Sequence, residues 1–593
     1  MLAASWSGCQ PPAIPGQQWE KVTLSFDGPA TGERAVDNPF LNYRLDVTFR
    51  QGDRTLVVPG FYAADGQAAE SGDSTGGVWL VRFRPDAPGL WTYTVSFRQG
   101  PGVAAADDAG AGEAVAFDGQ QGQLDIAPAA AGAEGKIRRV QGHYLQYAGS
   151  GRYFLKGGAD SPENFLAYVD FDGTYRVKRD AARPGEADPQ ASLHRYEAHL
   201  ADWRTGDPVW RGDKGRGIIG ALNYLAGKGM NSVYFLTMNI GGDGRDVWPY
   251  TSYTERLRFD CSKLDQWELV FDHMDRLGLM LHVVTQETEN EKLLDDGDTG
   301  TERKLYYREL VARFGHHLGV TWNMGEENGP ANFSPNGQSL SQQQAMVAHM
   351  QSLDPWDNPV VIHTHAWDSL RRAQFDRLLG DRNLDGPSIQ VGQAEDTHAE
   401  TRRWIAASAA AGHPWVVCVD EIGPANRGVD PDDRADNNQD LVRQQVLWGN
   451  LMAGGAGVEW YFGYENAHND LSCEDWRSRD RMWDYTRHAL AFFQNHLPFH
   501  EMAAADERVG GAAAYVLAKP GDGCAVYLPQ GGAATLDLSG YAGEYEVHWY
   551  DPRRGGALQA GSIVQVTGGG PVDLGMPPAD PGADWAVWVR RIP

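Results

Sequence analysis

Three rhythms of apolar and polar residues follow one another along the 593-residue chain. From residue 17 to about 126 the two kinds alternate, most clearly in Val22–Phe26, Asn42–Phe49, Gly77–Phe83 and Leu90–Phe97. That period predicts half-buried strands. Asp27-Gly28-Pro29 and Asp86–Gly89 supply turns between them. A β-sandwich is expected here, with a Gly/Ala-rich loop at 102–116 and a linker at 127–135. From 137 to 500 the pattern changes. Short apolar runs at Tyr153–Lys156, Ser232–Thr237, Leu279–Val284, Val320–Asn323, Val360–His363, Ser388–Val391, Trp415–Val419 and Gly457–Tyr461 alternate with helical patterns. The helices include Ile218–Lys228, Lys263–Leu277, Glu302–Phe314, Leu340–Leu353 and Arg479–Asn495. Eight such units predict a (β/α)8 barrel rather than an open doubly wound sheet, which would show a GxGxxG turn after its first strand. Residues 503–593 return to strands, Ala513–Leu517, Cys524–Leu528, Tyr545–Tyr550 and Trp585–Val589, and predict a second β-sandwich.

Composition narrows the function. Asp and Glu number 79 against 52 Lys and Arg, a net charge of −27, which argues against nucleic acid as partner. No apolar run is long enough to span a membrane. Twenty tryptophans suit a protein that stacks rings on sugars. The five cysteines are scattered and show no metal-type spacing; Cys418, within an apolar run, reads as a buried thiol. The segment up to Cys9 resembles the end of a bacterial lipoprotein signal without its charged and long apolar parts. The expected location is extracytoplasmic: secreted, periplasmic or lipid-anchored at Cys9.

In a barrel the chemistry lies at the C-terminal ends of the strands. The residues expected there are Asp160, Glu163 and Asn164 after the first strand, then Asn239 in a segment that includes Asp243. His282 and Glu287 follow from the third strand and Glu326 and Glu327 from the fourth. His363 and His365 come from the fifth, Gln390 from the sixth, Asp420 and Glu421 from the seventh, and Glu459 and Trp460 from the eighth. Two carboxylates flanking a sugar bond are what most glycosidases need: one protonates the leaving oxygen, the other attacks carbon or activates water. Glu327 and Glu421 stand at the ends of strands four and seven, which face one another across a barrel mouth.

The segment Trp322-Asn323-Met324-Gly325-Glu326-Glu327-Asn328 resembles the strand-four segment of clan A glycoside hydrolases, where a Glu acid/base follows Asn. Pro414 to Gly423, with Glu421-Ile422-Gly423, resembles their strand-seven nucleophile segment. Glu326 departs from the pattern by replacing the Asn that binds a sugar 2-hydroxyl. Trp19–Gly28, Asn38–Arg44, Gly60–Tyr62 and Pro88–Tyr93 resemble an uncharacterised β-sandwich found before such bacterial barrels. Tyr527-Leu528-Pro529 and Trp549–Pro552 resemble a collagen-binding-type domain also seen behind apiosidase-like barrels.

The resemblance implies a retaining glycosidase acting on a poly- or oligosaccharide without a cofactor. Glu327 would be its acid/base and Glu421 its nucleophile. Asp160, Glu163, Asn164, Asn239, His282, Glu287, Glu326, His365 and Trp460 would line the substrate. One alternative is a carbohydrate-binding or adhesion protein on a barrel scaffold. Another is a metal-dependent barrel hydrolase using His363 and His365 with Glu287 or Asp420. The acidic stretch Asp430–Asp440 lacks the EF-hand glycine and reads as a solvated loop.

Overall fold

Eight parallel strands close a barrel in the computed structural model, which describes residues 13–177, 183–187, 189–190, 192–242, 244–510 and 513–592. They are β1 (Lys156–Ala159), β2 (Ser232–Leu236), β3 (Met280–Val284), β4 (Val320–Asn323), β5 (Val360–His363), β6 (Gly386–Val391), β7 (Cys418–Ile422) and β8 (Gly457–Trp460). Closure comes from β1 pairing with both β2 and β8. All eight are buried, as strands between a packed interior and a helical ring must be.

Two barrel strands lie later in the chain than their apolar runs predict. Tyr153–Phe154 joins a small sheet with Ile137–Arg139 and Leu145–Tyr147, and β1 begins at Lys156. Its Gly157 and Gly158 carry no hydrophobic signal. A Cβ at Gly158 would lie 2.1 Å from the Ser232 carbonyl oxygen, so β1 needs glycine to approach β2. Strand β7 takes in Asp420 and Glu421, polar residues that an apolar run excludes. Helix Leu340–Leu353 matches its pattern end to end, fixed at its start by a Ser339/Gln342 capping box.

Residues 14–127 form two facing sheets. Val22–Gly32, Tyr43–Gln51, Thr75–Phe83 and Gly89–Gln99 are the expected strands, each longer than its pattern. Ile14–Gln17, which contains Pro15 and Gly16 and does not alternate, pairs in parallel with Gln121–Ala127. The C-terminal strands Tyr515–Lys519, Gly523–Leu528, Glu544–Tyr550 and Trp585–Arg591 pair in one sheet. No helix among the described residues is long and apolar enough to cross a membrane. Cys261, Cys418, Cys473 and Cys524 are buried free thiols, while Cys9 lies outside the described residues. In the stretch Asp430–Asp440, Arg427 and Arg434 bind Asp430 and Arg443 binds Asp440.

Both sandwiches dock on the sides of the barrel through buried charge. Arg313, fully buried on helix Thr301–Phe314, reaches Glu309 at 2.6 Å, Asp265 at 3.2 Å and the Tyr62 carbonyl of the sandwich at 2.8 Å. Arg84 of the sandwich pairs with Asp275 at 2.7 Å. At the other side Arg443 grips Asp584 through two bonds, and Trp448 stacks on Tyr527 at 4.6 Å. Removing one partner of a buried pair strands the other charge and costs about 3–5 kcal/mol. Arg313→Met is therefore expected to destabilise the full chain by that order, read as a lower urea midpoint, and to expose the 128–135 linker to protease. An unchanged midpoint would mean that this contact contributes no net stability.

Candidate active site

The barrel interior is polar, and its charges fall into two tiers. In the lower tier Lys156 of β1 contacts Asp420 of β7 and, at 3.1 Å, Glu459 of β8. His282 of β3 lies 2.6 Å from Glu459 through Nδ1 and 3.1 Å from Asn323 through Nε2. Ser232 donates to the same Glu459. Burial works against the Glu459 charge, but Lys156 and His282 outweigh it and hold the carboxyl down at about 2.

Adjacent residues of a regular strand point to opposite faces, yet Asp420 and Glu421 both face inward. The β6–β7 register shifts here, with Ile389 opposite Val419 and Gln390 opposite Glu421, so Asp420 is the extra residue of a bulge. Asp420 turns down to Lys156. Glu421 turns up, accepts a hydrogen bond from Gln390, and lies 3.4 Å from His363 Nε2. Gly423 then lets the chains after β6 and β7 close up, since a Cβ there would come within 3.1 Å of Gly392.

Glu326 and Glu327 sit just past β4. The Glu326 amide donates to the Gln286 carbonyl, and Asn328 is held through its amide by the His363 carbonyl and through its side chain by Gln338 and Gln343. Between these anchors Glu327 takes φ +41°, the left-handed region that a non-glycine residue adopts at a cost of about 1–3 kcal/mol. Its carboxylate, 27% exposed, lies 3.8 Å from His365 Nδ1. The other His365 nitrogen lies 3.1 Å from the Gly329 carbonyl. Burial disfavours the His365 imidazolium, but Glu327 outweighs it and raises its pKa. His363 goes the other way: burial takes it down to about 4, so it is neutral.

The upper tier continues along β1. Asp160 is 1% exposed and neither of its oxygens has a hydrogen-bond partner in the protein. Asn164 Oδ1 is engaged by His194 at 2.9 Å and Asn239 Oδ1 by Asn290 at 3.0 Å, while the Nδ2 of each has no partner. A Cβ at Gly244 would lie 3.0 Å from Asn239 Nδ2 and 3.7 Å from Asn164 Cβ, so the two side chains border the same turn. Burial, then the charges of Glu421 and Glu326, push Asp160 well above the carboxylate range. Burial followed by Glu326 raises Glu163, and burial followed by Glu327 raises Glu421. These are coupled groups, and together they retain protons that isolated carboxylates would lose.

The structure thus gathers Asp160, Glu163, Glu326, Glu327, Glu421 and His365 about one mouth, with Asn164 and Asn239 beside it. Glu287, half-buried, stands off by Gly242, and Asp243 lies outside the described residues. Two of the expected substrate-lining residues are not brought there. His282 has both ring nitrogens engaged in the lower tier. Trp460 alternates with inward-facing Glu459, so its ring faces the helical layer, where Nε1 donates to Thr486 at 2.8 Å. The expected grouping of His363 and His365 with Asp420 does not form, because Asp420 is bound to Lys156. Glu326, His363 and Glu421 do approach one another, with one ligand atom of each within 4.8 Å. The sequence reading missed Tyr234 and Asp470. Tyr234 Oη lies 3.1 Å from His363 Nδ1, and the inward alternation of Ser232, Tyr234 and Leu236 was the available signal. Asp470, clamped by Arg183 at 2.7 and 2.9 Å, lies in a loop with no periodicity to mark it.

A raised carboxyl stabilises the fold least where it must ionise. Its contribution is present below the unfolded pKa and lost as pH rises through the higher folded value. Asp160→Asn should therefore be more heat-stable than the parent at pH 8, with the gain shrinking towards pH 4. Thermal melts across that range test it, and a pH-independent difference would contradict the assignment.

Comparison with known proteins adds the following. Residues 16–98 match a family described as a domain of unknown function, DUF5060, and residues 501–589 one described as "putative collagen-binding domain of a collagenase". No curated protein matches the chain. Among solved structures, a putative glycoside hydrolase from Bacteroides vulgatus superposes over 98% of this chain and 100% of its own, with TM-score 0.62 and 15% identity. A family 5 glycoside hydrolase from the same organism covers 77% of this chain and 93% of its own, with TM-score 0.51 and 15% identity. At such identity the likeness establishes the shared fold, a closed parallel barrel with added sheet domains.

Proposed function

We propose that this chain is a glycoside hydrolase that cleaves an oligo- or polysaccharide with retention, through Glu421 as nucleophile and Glu327 as general acid/base. The observation that carries the reading is the placing of the two groups. Glu421 is buried and oriented by Gln390 beside neutral His363, whereas Glu327 is partly exposed in a strained backbone and paired with His365. A nucleophile needs fixed aim, and an acid/base needs access to the leaving oxygen and then to water. The step requires the proton shared among these carboxyls to sit on Glu327, with Glu421 ionised; Glu421 would then attack the anomeric carbon as Glu327 gives that proton to the departing oxygen. Water, deprotonated by Glu327, would then release the sugar. Asp160 Oδ1 and Oδ2 with the Nδ2 groups of Asn164 and Asn239 offer acceptors and donors for the hydroxyls of the sugar being cleaved. The fold neighbours that are called glycoside hydrolases support the glycosidase class of this reading. A polymeric substrate fits an extracytoplasmic location.

The test is a panel of aryl glycosides and oligosaccharides with the parent and the variants Glu421→Gln, Glu327→Gln and Glu326→Gln. Glu327→Gln is expected to lower kcat by about 10²–10⁴ on poor leaving groups, and less on aryl glycosides that need no protonation. Glu421→Gln should abolish turnover on both. Parental rates for both variants would sink the proposal, and a larger loss for Glu326→Gln would move the acid to that residue. NMR of the first-formed anomer decides retention. The proximity of Glu326, His363 and Glu421 favours one second reading, a metal-assisted hydrolase. Turnover lost on chelation and restored by a divalent ion would select it.

A further inference from the structure

The tryptophans of this protein are overwhelmingly interior. The twelve largest fully buried side chains are all Trp. Among the described residues Trp367 is the exposed one, at 66%, and Phe333 is nearly as open, at 60%. Leaving large rings in water forgoes their burial energy, and scattered exposed apolar side chains are ordinary on any surface. These two are not scattered. Phe333 lies in the segment after β4 that also presents Glu327, and its ring meets the His365 imidazole edge-on, with centroids 5.5 Å apart at 85°. Trp367 lies two residues beyond His365 in the segment after β5. The same two segments border a groove of about 380 Å³ lined by Asn328, His365, Gln374 and Arg377.

We propose that Phe333 and Trp367 form a platform for the leaving-group side of a neutral oligosaccharide, stacking on the sugars beyond the scissile bond. The inference rests on Glu327 as the acid of the proposed reaction. An acid must lie within hydrogen-bond reach of the leaving oxygen, so the departing sugar begins beside Glu327. His365 contacts both Glu327 and Phe333, which makes the Phe333 end of the platform continuous with the acid. The carbon–hydrogen faces of sugar rings are apolar and match flat aromatic surfaces, while their hydroxyl edges stay in water. The other side of the cleft is built differently, from buried carboxylates and amides that bind hydroxyls. Charge favours a neutral chain at the cleavage position, since a uronate there would add a further carboxylate to Asp160, Glu163 and Glu421, whose ionisation is already opposed by burial and by neighbouring carboxylates.

The experiment uses the full chain and tetrasaccharides of glucose, mannose, galactose, xylose and arabinose, with uronate-containing tetrasaccharides alongside. For the sugar that is cleaved, kcat/KM on the tetrasaccharide is compared with that on the matching glycosyl fluoride, which carries no leaving-group ring. In Trp367→Ala and in Phe333→Ala the ratio of the two should fall about tenfold. A ratio within twofold of the parent, or a preference for uronate chains, overturns the platform. Should no sugar be cleaved, the glycosidase reading fails separately. The platform is then decided by binding: neutral tetrasaccharides should shift the tryptophan emission of the parent but not of Trp367→Phe. Identical titrations of the two proteins overturn it.

Discussion

The ammonium of Lys156, buried inside the barrel, sorts the carboxylates of the site. A cluster of buried acids repels itself and pays a desolvation penalty for each charge. Lys156 relieves this for Asp420 and Glu459 by direct contact, and His282 adds to the relief at Glu459. Together they form a fixed floor, in which the Glu459 carboxyl is held down at about 2. Asp160, Glu163 and Glu421 stand above it without such a contact and are raised by burial and by one another. The bulge in β7 is the hinge of this arrangement. By turning Asp420 down and Glu421 up, it gives one dipeptide two opposite electrostatic roles.

The same tiering explains what could be read in the sequence. Apolar periodicity marks elements with one buried face, so helix Leu340–Leu353 and the sandwich strands stand out. It fails where a strand lines a polar interior. Asp420 and Glu421 look unlike a strand, and β1, Lys156-Gly157-Gly158-Ala159, has almost no apolar signal. The position of Glu327 and Glu421 at the ends of β4 and β7 was legible because their local segments resemble known strand ends. Which neighbour of each pair faces the cleft depends on a bulge and on a left-handed φ, and no one-dimensional pattern encodes either. Trp460 was misplaced for the same reason: a strand-end aromatic looks like a sugar platform until the alternation with Glu459 is fixed in space.

A site built in this way is costly. Strain at Glu327, unpartnered polar atoms at Asp160, Asn164 and Asn239, and mutual repulsion among carboxylates all lower stability, and such features concentrate where a protein acts. The flanking sandwiches help to offset that cost. The N-terminal one is joined to helices Cys261–Leu277 and Thr301–Phe314, which flank β3 and β4; the C-terminal one is joined to the helical segments between β7 and β8. Helices next to the strands that present Glu327 and Glu421 are thus among those braced by a sandwich.

The bracing also accounts for much of the unusual composition. Tryptophans such as Trp79, Trp91, Trp448 and Trp483 fill sandwich cores and helical interfaces, so their number alone says little about sugar binding. What separates Trp367 from them is its exposure, two residues beyond His365. In the proposed reaction polar groups would hold one side of the scissile bond and aromatic faces the other, and that asymmetry has a physical logic. The sugar that becomes oxocarbenium-like needs its hydroxyls held against fixed dipoles through the transition state. The departing sugar of the proposed reaction would undergo no such change and would have to leave. Stacking holds it with little directional demand and releases it without stranding a buried hydrogen-bonding group.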